Sequence, residues 1–259
     1  MFRVVIPARY ASTRFPGKPL VMLAGKPMLQ WVYENAGRCG ALEVIVATDD
    51  ERIARAARGF GAPVAMTAAS HQSGTDRIAE AAANAGWGAD EIVVNLQGDE
   101  PLLPSALLRQ VAGLLEQDSA AALATLATPV RSMAEYLDPN AVKVVAGEDG
   151  RALYFSRAPI PWHRDGAVGG APSYAGARRH IGLYAYRVGA LRRLAALPAS
   201  TLEQAEKLEQ LRALAHGLAI RVADAVERPG QDINTPEDLE RAASQLVAPH
   251  GTQGVETSR

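Results

Sequence analysis

The first twenty residues, Met1–Leu20, read MFRVVIPARYASTRFPGKPL. Val4–Pro7 is short and apolar, and this pattern predicts a buried strand. The loop after it contains three cations, Arg9, Arg14 and Lys18, and no acidic residue. Because an open parallel sheet binds ligands beyond the carboxyl ends of its strands, this basic loop is expected at a ligand crevice.

The basic loop has the composition of a phosphate-binding site. Gly17 gives the backbone of the loop conformational freedom, and Pro16 and Pro19 restrict its shape. The backbone amides of the loop can then donate to the oxygens of a triphosphate, while the three cations balance its charge. The alternative is a solvated surface loop, since runs of charge usually face water. The G-x-x-x-x-G-K-[ST] and G-x-G-x-x-G patterns are both absent, which argues against P-loop and nicotinamide-binding proteins.

The bulk composition excludes several classes of protein. With 259 residues and 48% apolar residues, the chain can bury a full core. The 27 Lys and Arg balance 28 Asp and Glu, so no nucleic-acid partner is expected. Cys39 is the sole cysteine, which excludes an internal disulfide and favours a reducing compartment. No signal peptide or long apolar run is recognisable, so we expect a cytoplasmic protein that does not contact the membrane.

Strand and helix patterns alternate through the first half of the chain. The predicted strands are Val4–Pro7, Val44–Thr48, Pro63–Met66 and Ile92–Leu96. The first predicted helix begins at Pro27. Three further helices are predicted over Glu51–Arg58, Asp76–Ala85 and Ser105–Glu116. This alternation predicts an α/β fold with a mainly parallel sheet that is covered on both faces.

The second half predicts an antiparallel insertion around residues 130–190. Its predicted strands are Val142–Val145, Ala152–Ser156 and Ile181–Tyr186, and the Gly-rich segment Asp165–Gly176 is expected to be a mobile loop that closes over a ligand. Helices near Val188–Leu197 and Leu202–Ala215, the strand Ala219–Ala225 and a helix Pro236–Leu246 capped by Thr235 follow. We therefore expect one domain over residues 1–247 and a flexible tail over 248–259.

A second motif, VVNLQGDEP, ends the fourth predicted strand. It delivers Asp99 to the sheet edge that holds the basic loop, and Gly98 lets a ligand approach the backbone. One carboxylate together with phosphate oxygens and waters is enough to bind magnesium, so Asp99 is a predicted metal ligand. The alternative is an aspartate that caps a helix or forms a turn.

The ordered set of motifs resembles the 3-deoxy-manno-octulosonate cytidylyltransferases, or CMP-Kdo synthetases, from Arg3 to about Leu246. The motifs are IPARYASTRFPGKPL, VATDD, HQSGTDR, NLQGDEP, PNAVKVV, ALYFSRAPIPW, RHIGLYAYR, LEQLRAL and PGQDINTPEDLE. The resemblance implies a Rossmann-like nucleotidyltransferase fold and a homodimer. It also implies transfer of a cytidylyl group from CTP to 3-deoxy-D-manno-octulosonate (Kdo), with release of pyrophosphate, for lipopolysaccharide synthesis.

The resemblance also assigns roles to residues. Arg14, Lys18 and Asp99 would be catalytic, and the nucleotide would contact Pro7, Ala8, Arg9, Arg14, Lys18, Ser73, Arg77, Gln97 and Gly98. The acid sugar would contact Arg157, Arg164, His180, Tyr184, Glu209 and Gln210. His163 stands where the family commonly has an aspartate, and we assign it no role.

Several of these residues have an ordinary structural alternative. Arg77 could lie on the exposed face of a capped helix, and Glu209 on a solvated helix face. Tyr184 could be a half-buried packing residue. His180 could cap a strand edge, and nearby cations are expected to keep it neutral.

The metal site departs from the family pattern. The resemblance places a second metal carboxylate immediately before TPEDL, but this chain has Asn234 there and Asp232 two residues earlier. An asparagine carbonyl can ligate magnesium without contributing charge, so metal affinity is weaker or Asp232 compensates. Both residues could instead cap the following helix.

The alternatives for the whole chain are a cytidylyltransferase for a related acid sugar, such as amino-substituted Kdo or sialic acid, and a nucleotide-binding regulator that does not catalyse.

Overall fold

The computed structural model describes residues 1–11, 15–71, 73–164, 173–230, 233 and 235–247. Arg14, Asp232, Asn234, most of the Gly-rich segment (165–172) and the tail (248–259) lie outside the described residues. The strands are β1 (Phe2–Ala8), β2 (Met22–Leu23), β3 (Lys26–Pro27), β4 (Val44–Thr48), β5 (Val64–Met66), β6 (Ile92–Asn95), β7 (Leu123–Pro129), β8 (Lys143–Ala146), β9 (Ala152–Ser156), β10 (Arg178–Arg187) and β11 (Ile220–Asp224).

Helices connect and cover these strands. They are α1 (Met28–Ala36), α2 (Glu51–Gly59), α3 (Gly74–Asn84), α4 (Ser105–Gln117), α5 (Met133–Leu137), α6 (Val188–Ala196), α7 (Thr201–Glu206), α8 (Gln210–Ala215) and α9 (Pro236–Val247), with a 3-10 helix at Lys18–Leu20. Among the residues described, no helix is both long enough and apolar enough to cross a bilayer.

One large sheet organises the molecule, with strand order β11-β7-β10-β6-β1-β4-β5. β1 pairs in parallel with β4 and β6, β4 with β5, and β7 with β11. β10 runs antiparallel to both of its neighbours, β6 and β7, and its beginning also pairs with the β8–β9 hairpin. The predicted α/β class, mainly parallel with antiparallel strands from the second half, is therefore confirmed.

Two apolar layers enclose the sheet. On one face α1, α2 and α4 pack through Leu29, Ile53 and Leu107, and all three side chains are fully buried. On the other face α3, α6 and α8 pack through residues such as Ile78 and Leu211. The strands between the layers are buried on both sides, which explains why their sequences are continuous apolar runs rather than alternating patterns.

The first half of the chain follows the predicted order closely. β4 has the predicted bounds, and the other strands and helices differ by only one or two residues at their ends. α9 also begins as predicted, because Thr235 Oγ1 accepts a hydrogen bond from the Asp238 amide at 3.3 Å and Asp238 accepts one from the Thr235 amide at 2.8 Å.

The rest of the chain departs from prediction at three places. The single helix predicted over Leu202–Ala215 is wrong, because Lys207 adopts a left-handed backbone with φ of 54° and separates α7 from α8. Strand β7 and helix α5 were not predicted at all. β7 lies between β10 and β11 inside the sheet, so tertiary pairing stabilises a segment that is rich in Ala and Thr.

Candidate active site

The carboxyl ends of β1 and β6 form one edge of the candidate site. These strands are adjacent and parallel, with Val5 opposite Asn95, so the residues after each strand emerge side by side. The cleft at this edge has a volume of about 290 Å³. The predicted nucleotide-binding residues that line it are Pro7, Ala8, Arg9, Lys18, Ser73, Arg77, Gln97 and Gly98, and the predicted metal ligand Asp99 lines it as well.

The basic loop and the GDE motif meet in an ion pair. Lys18 Nζ donates to Asp99 Oδ2 at 2.5 Å, although 81 residues separate the two. Gly17, with φ of 70°, donates to the Tyr10 carbonyl at 2.9 Å and turns the chain so that Lys18 points back to β6. The surface-loop interpretation of Lys18 is therefore wrong. Asp99 lies in a turn, as one alternative held, but it caps no helix, because α4 begins after Pro104.

The start of α3 closes the cleft from the side. Ser73 caps this helix, since its hydroxyl accepts from the Asp76 amide at 3.1 Å and Asp76 accepts from the Ser73 amide at 3.3 Å. Gly74 packs so closely that a Cβ there would lie 3.3 Å from Pro7 Cγ. The absence of a side chain at Gly74 therefore lets α3 approach the end of β1.

Arg77 is buried rather than exposed. Only 4% of the residue is accessible, and its guanidinium forms an ion pair with Asp49 at 3.1 Å and donates a hydrogen bond to Thr67. Asp49 directly follows β4 in the VATDD motif, so the pair ties α3 to the end of a third strand. The exposed-helix interpretation of Arg77 is wrong.

Glu209 approaches the start of α3 from the second half of the chain. It accepts hydrogen bonds from the hydroxyls of Ser73, at 3.2 Å, and Thr75, at 3.1 Å. Burial raises the pKa of Glu209, while the two hydroxyls and the charge of Arg212 act in the opposite direction. The solvated-face interpretation of Glu209 is therefore also wrong. The next residue, Gln210, is buried as well.

A row of rings continues from Glu209 along β10. The His180 ring lies 5.0 Å from that of Phe155 and 5.2 Å from that of Tyr184, and Tyr184 stacks on Tyr186 at 5.8 Å. His180 Nε2 is 3.0 Å from Thr125 Oγ1. Burial, with a smaller contribution from Arg179, lowers the pKa of His180 to about 3. The prediction that His180 is neutral is confirmed, but burial is a larger cause than the neighbouring cations.

Tyr184 is more deeply buried than a half-buried packing residue. It is 8% exposed, and burial together with Tyr186 and Glu209 raises its pKa well above the ordinary value. Because Ser73 both lines the cleft and bonds Glu209, the predicted nucleotide side and the predicted sugar side are continuous. Gln97 adds a second link, since its Nε2 donates to Asn95 Oδ1 at 3.1 Å on β6, opposite Tyr184.

The two predicted sugar-binding arginines differ in their surroundings. Arg157 Nε donates to the Glu206 carbonyl at 2.7 Å, and Arg157 Nη1 donates to the Pro139 carbonyl at 2.9 Å. Arg164 is exposed at the border of the described residues. Arg157 thus supports the backbone of two loops, and the sugar-binding roles of both arginines stay predictions.

Asp99 is the described residue best suited to a metal ion. Its carboxylate is one-third exposed at the cleft, and its carbonyl accepts from the Ile233 amide at 3.1 Å. Ile233 therefore lies beside Asp99, while Asp232 and Asn234 are outside the described residues. Within the described ranges, no group of three or more His, Cys, Asp or Glu side chains could hold a metal ion by itself. A magnesium ion that takes most of its ligands from phosphate and water fits such a site.

Four further residues line the cleft without a predicted role, namely Phe15, Met28, His71 and Gly74. Phe15 lies in the basic loop, His71 and Gly74 lie in HQSGTDR, and Met28 begins α1 outside the motifs. The first three belong to recognised motifs, but nothing in a motif alone indicates which of its members face the cleft.

Comparison with known proteins identifies the family. A family model described as cytidylyltransferase matches residues 3–221. The chain belongs to this cytidylyltransferase family. The cytidylyltransferase is 56% identical to a 3-deoxy-manno-octulosonate cytidylyltransferase of Thioalkalivibrio sulfidiphilus, and the match covers 95% of this chain and 99% of the relative. It is 53% identical to the Pseudomonas fluorescens protein of the same name, covering 95% and 98%.

A solved structure agrees with these relatives. CMP:2-keto-3-deoxy-manno-octonic acid synthetase complexed with CTP superposes on this cytidylyltransferase with a TM-score of 0.86 and 42% identity. The match covers 95% of this chain and 98% of that structure. The nucleotidyltransferase fold and the family resemblance drawn from the motifs are both confirmed.

Proposed function

We propose that this enzyme transfers the cytidylyl group of CTP to Kdo, forming CMP-Kdo and pyrophosphate for lipopolysaccharide synthesis. The observation that carries the proposal is the meeting of Lys18 and Asp99 at a cleft whose Ser73 wall continues into the Glu209 and His180 cluster. This arrangement provides a polyphosphate site beside a site for a polar sugar. The relatives named above, at 56% and 53% identity over nearly the whole chain, carry the name of the same activity.

The reaction is an in-line substitution at the α-phosphorus. The anomeric oxygen of Kdo forms the new bond to phosphorus, the bond to the β-phosphate oxygen breaks, and the hydroxyl proton is released as pyrophosphate leaves. Negative charge grows on the leaving phosphates, so fixed cations stabilise the transition state more than the ground state. Lys18 supplies such a cation directly, Arg9 stands at the exposed mouth of the cleft, and the family resemblance adds Arg14.

Asp99 would hold magnesium, with Asn234 or Asp232 as a second ligand. When bound, the ion would lower the pKa of the sugar hydroxyl and neutralise charge on the triphosphate. In this structure the Lys18 ammonium donates to Asp99 Oδ2. If Asp99 bound the ion instead, the Lys18 ammonium would be free to contact the phosphates. Lys18 would then remain in the cleft as a positive charge placed beside the leaving group.

The acid sugar would bind where neutral polar groups converge. Neutral His180, the Tyr184 hydroxyl and Gln210 can hydrogen-bond sugar hydroxyls, and Glu209 can accept from them. Arg157 and Arg164 would supply the positive charge that a sugar carboxylate requires. Because these groups come from the segment after β9, from β10 and from the start of α8, the second half of the chain would determine which sugar is accepted.

A cytoplasmic homodimer is part of the proposal. Large apolar side chains are exposed around the β8–β9 hairpin and its flanking segments, including Leu137 at 50%, Leu153 at 65% and Trp162 at 64%. A second copy that covers these side chains would remove apolar surface from water. Sedimentation of wild type and Trp162→Ser would test it, because the variant should dissociate at higher protein concentration than the wild type.

The function is tested by pyrophosphate release from CTP, magnesium and Kdo. Turnover with Kdo supports the proposal, turnover with only amino-substituted Kdo or sialic acid identifies a related enzyme, and CTP binding without turnover indicates a regulator. Asp99→Asn should abolish most of the rate. Asp90→Asn, at an exposed position, is a matched control that should leave the rate unchanged.

A further inference from the structure

The VATDD motif holds an arginine of α2 against the basic loop, a contact that the mechanism above does not use. Asp50, the last residue of the motif, caps α2 because its Oδ1 accepts a hydrogen bond from the Arg52 amide at 2.9 Å. The same carboxylate accepts two hydrogen bonds from the Arg52 guanidinium, at 3.0 Å from Nε and 2.6 Å from Nη2. This two-point pair fixes the plane and the direction of the guanidinium.

The Tyr10 side chain contacts both this arginine and the turn of the basic loop. The guanidinium carbon of Arg52 is 3.3 Å from the centre of the Tyr10 ring, and the face of an aromatic ring attracts a cation. A Cβ at Gly17 would lie 3.1 Å from Tyr10 Cζ, so the ring also packs against the Gly17 backbone. The Tyr10 carbonyl accepts from the Gly17 amide at 2.9 Å. Tyr10 thus joins α2 to the point where the loop turns.

The turn at Gly17 sets the position of Lys18. Gly17 precedes the 3-10 helix Lys18–Leu20, and its carbonyl accepts from the Leu20 amide at 2.8 Å. Lys18 is the first residue of this helix and reaches Asp99 at the end of β6. A movement of Gly17 would therefore move the Lys18 ammonium within the cleft. Tyr10 and Arg52 are not among the described residues that line the cleft, so their effect on a ligand passes through the loop.

We propose that Arg52 is a positioning residue for polyphosphate binding, which acts through the Tyr10 ring to hold the basic loop with Lys18 directed into the cleft. The proposal rests on the proposed function and names the residues that prepare its phosphate site. In the sequence, the segment between Tyr10 and Gly17 contains Arg14, so the contact also fixes both ends of the segment that carries this cation. A loop that is already held in its binding conformation loses less entropy when the ligand binds.

The test measures binding of inorganic triphosphate with magnesium by calorimetry, with no sugar or nucleoside present. Arg52→Ala should weaken the affinity by about 5-fold, the effect expected from one cation–ring contact near the surface. Tyr10→Leu should weaken it at least as much, because the variant loses the ring that contacts both Arg52 and Gly17. Tyr10→Phe keeps the ring and should retain most of the affinity.

A double variant tests whether Arg52 acts through Tyr10. In a Tyr10→Leu background, Arg52→Ala should cause little further loss, because the contact between the two side chains is already absent. Losses that add fully would overturn the proposal, since Arg52 would then attract the phosphates by its charge alone.

Arg58→Ala is the matched control for the loss of a charge from α2. Arg58 is more than half exposed, as Arg52 is, and it pairs with Glu51 at 3.0 Å. Among the described residues its guanidinium lies over no aromatic ring, so Arg58→Ala should leave the triphosphate affinity unchanged. Equal losses in Arg52→Ala and Arg58→Ala would overturn the proposal, as would an unchanged affinity in Arg52→Ala. Both side chains lie at the surface, so neither substitution removes part of the core.

Steady-state kinetics distinguishes a positioning role from a general structural one. Arg52→Ala should lower kcat/KM for CTP by about 5-fold and leave the KM for Kdo nearly unchanged. An equal effect on both substrates would contradict the proposal. Absence of wild-type turnover with Kdo, together with the expected triphosphate affinities, would contradict the proposed function and leave the role of Arg52 standing.

Discussion

Acid should destabilise this protein through His180, and the size of the effect can be worked out. Burial lowers the pKa of this histidine from 6.5 to about 3, so the unfolded chain binds a proton more readily than the folded one between these values. Its contribution to stability is therefore complete above about pH 6.5 and declines as the pH falls toward 3. A pH of about 5 lies about 1.5 units below the pKa of the unfolded histidine. At about 1.4 kcal/mol per unit, protonation of the unfolded chain therefore lowers the free energy of unfolding by about 2 kcal/mol.

The magnitude does not depend on the depth of the shift. Any folded-state pKa that is well below 5 leaves His180 neutral at that pH, and the protonation of the unfolded chain then sets the cost. His180→Gln removes the titrating group and can still donate to Thr125 Oγ1, so the variant should lose about 2 kcal/mol less stability between about pH 7 and about pH 5 than the wild type.

Urea unfolding of both proteins at the two pH values measures this difference, and the other histidines cancel because both proteins contain them. His216→Gln is the control for the substitution itself. Equal pH dependence in wild type and His180→Gln would contradict this prediction, because it would mean that solvent reaches the ring between Phe155 and Tyr184.

Three other predictions follow from the cleft and the fold. Lys18→Ala should lower kcat/KM for CTP by roughly 100-fold or more, with a smaller effect on the KM for Kdo. Steady-state kinetics with each substrate varied measures both parameters, and unchanged values of kcat/KM for CTP and of KM for Kdo would contradict the prediction. Lys143→Met should lower the free energy of unfolding by about 3 kcal/mol, because the fully buried ammonium donates to three carbonyls at 2.5 to 2.8 Å. Urea titration measures this loss. In the same titration the control Lys26→Met, which removes a half-exposed ion pair with Glu34, should cost less than about 1 kcal/mol. Asn234→Asp should lower the magnesium concentration for half-maximal rate, since an anionic ligand replaces a neutral one; a higher requirement would place this side chain elsewhere.

The sequence predicts the parts of the fold that depend on local patterns. The strand Val44–Thr48 is a continuous apolar run between turn residues, and α9 carries a cap and an acidic first turn, so both can be located without tertiary information. The break at Lys207 cannot be located in this way. Lysine favours helices, yet Lys207 adopts a left-handed backbone with φ of 54° and ends α7.

The candidate site shows the same division. Motif order placed Lys18 and Asp99 at one sheet edge, because neighbouring parallel strands deliver their loops to the same side. The burial of Arg77 and Glu209 was not predictable from their charge, which usually indicates a surface position. Their partners, Asp49 for one and the Ser73 and Thr75 hydroxyls for the other, come from distant parts of the chain and are identified only by the packed structure.

The position of β10 has a consequence for engineering this enzyme. The strand that carries His180 and Tyr184 is hydrogen-bonded on both flanks, to β6 on one side and β7 on the other. A replacement strand whose register did not match both neighbours would break the pairing that joins β7 and β11 to β6. Acceptor preference in this scaffold is therefore better redesigned one side chain at a time, with the backbone of the central ladder left as it is.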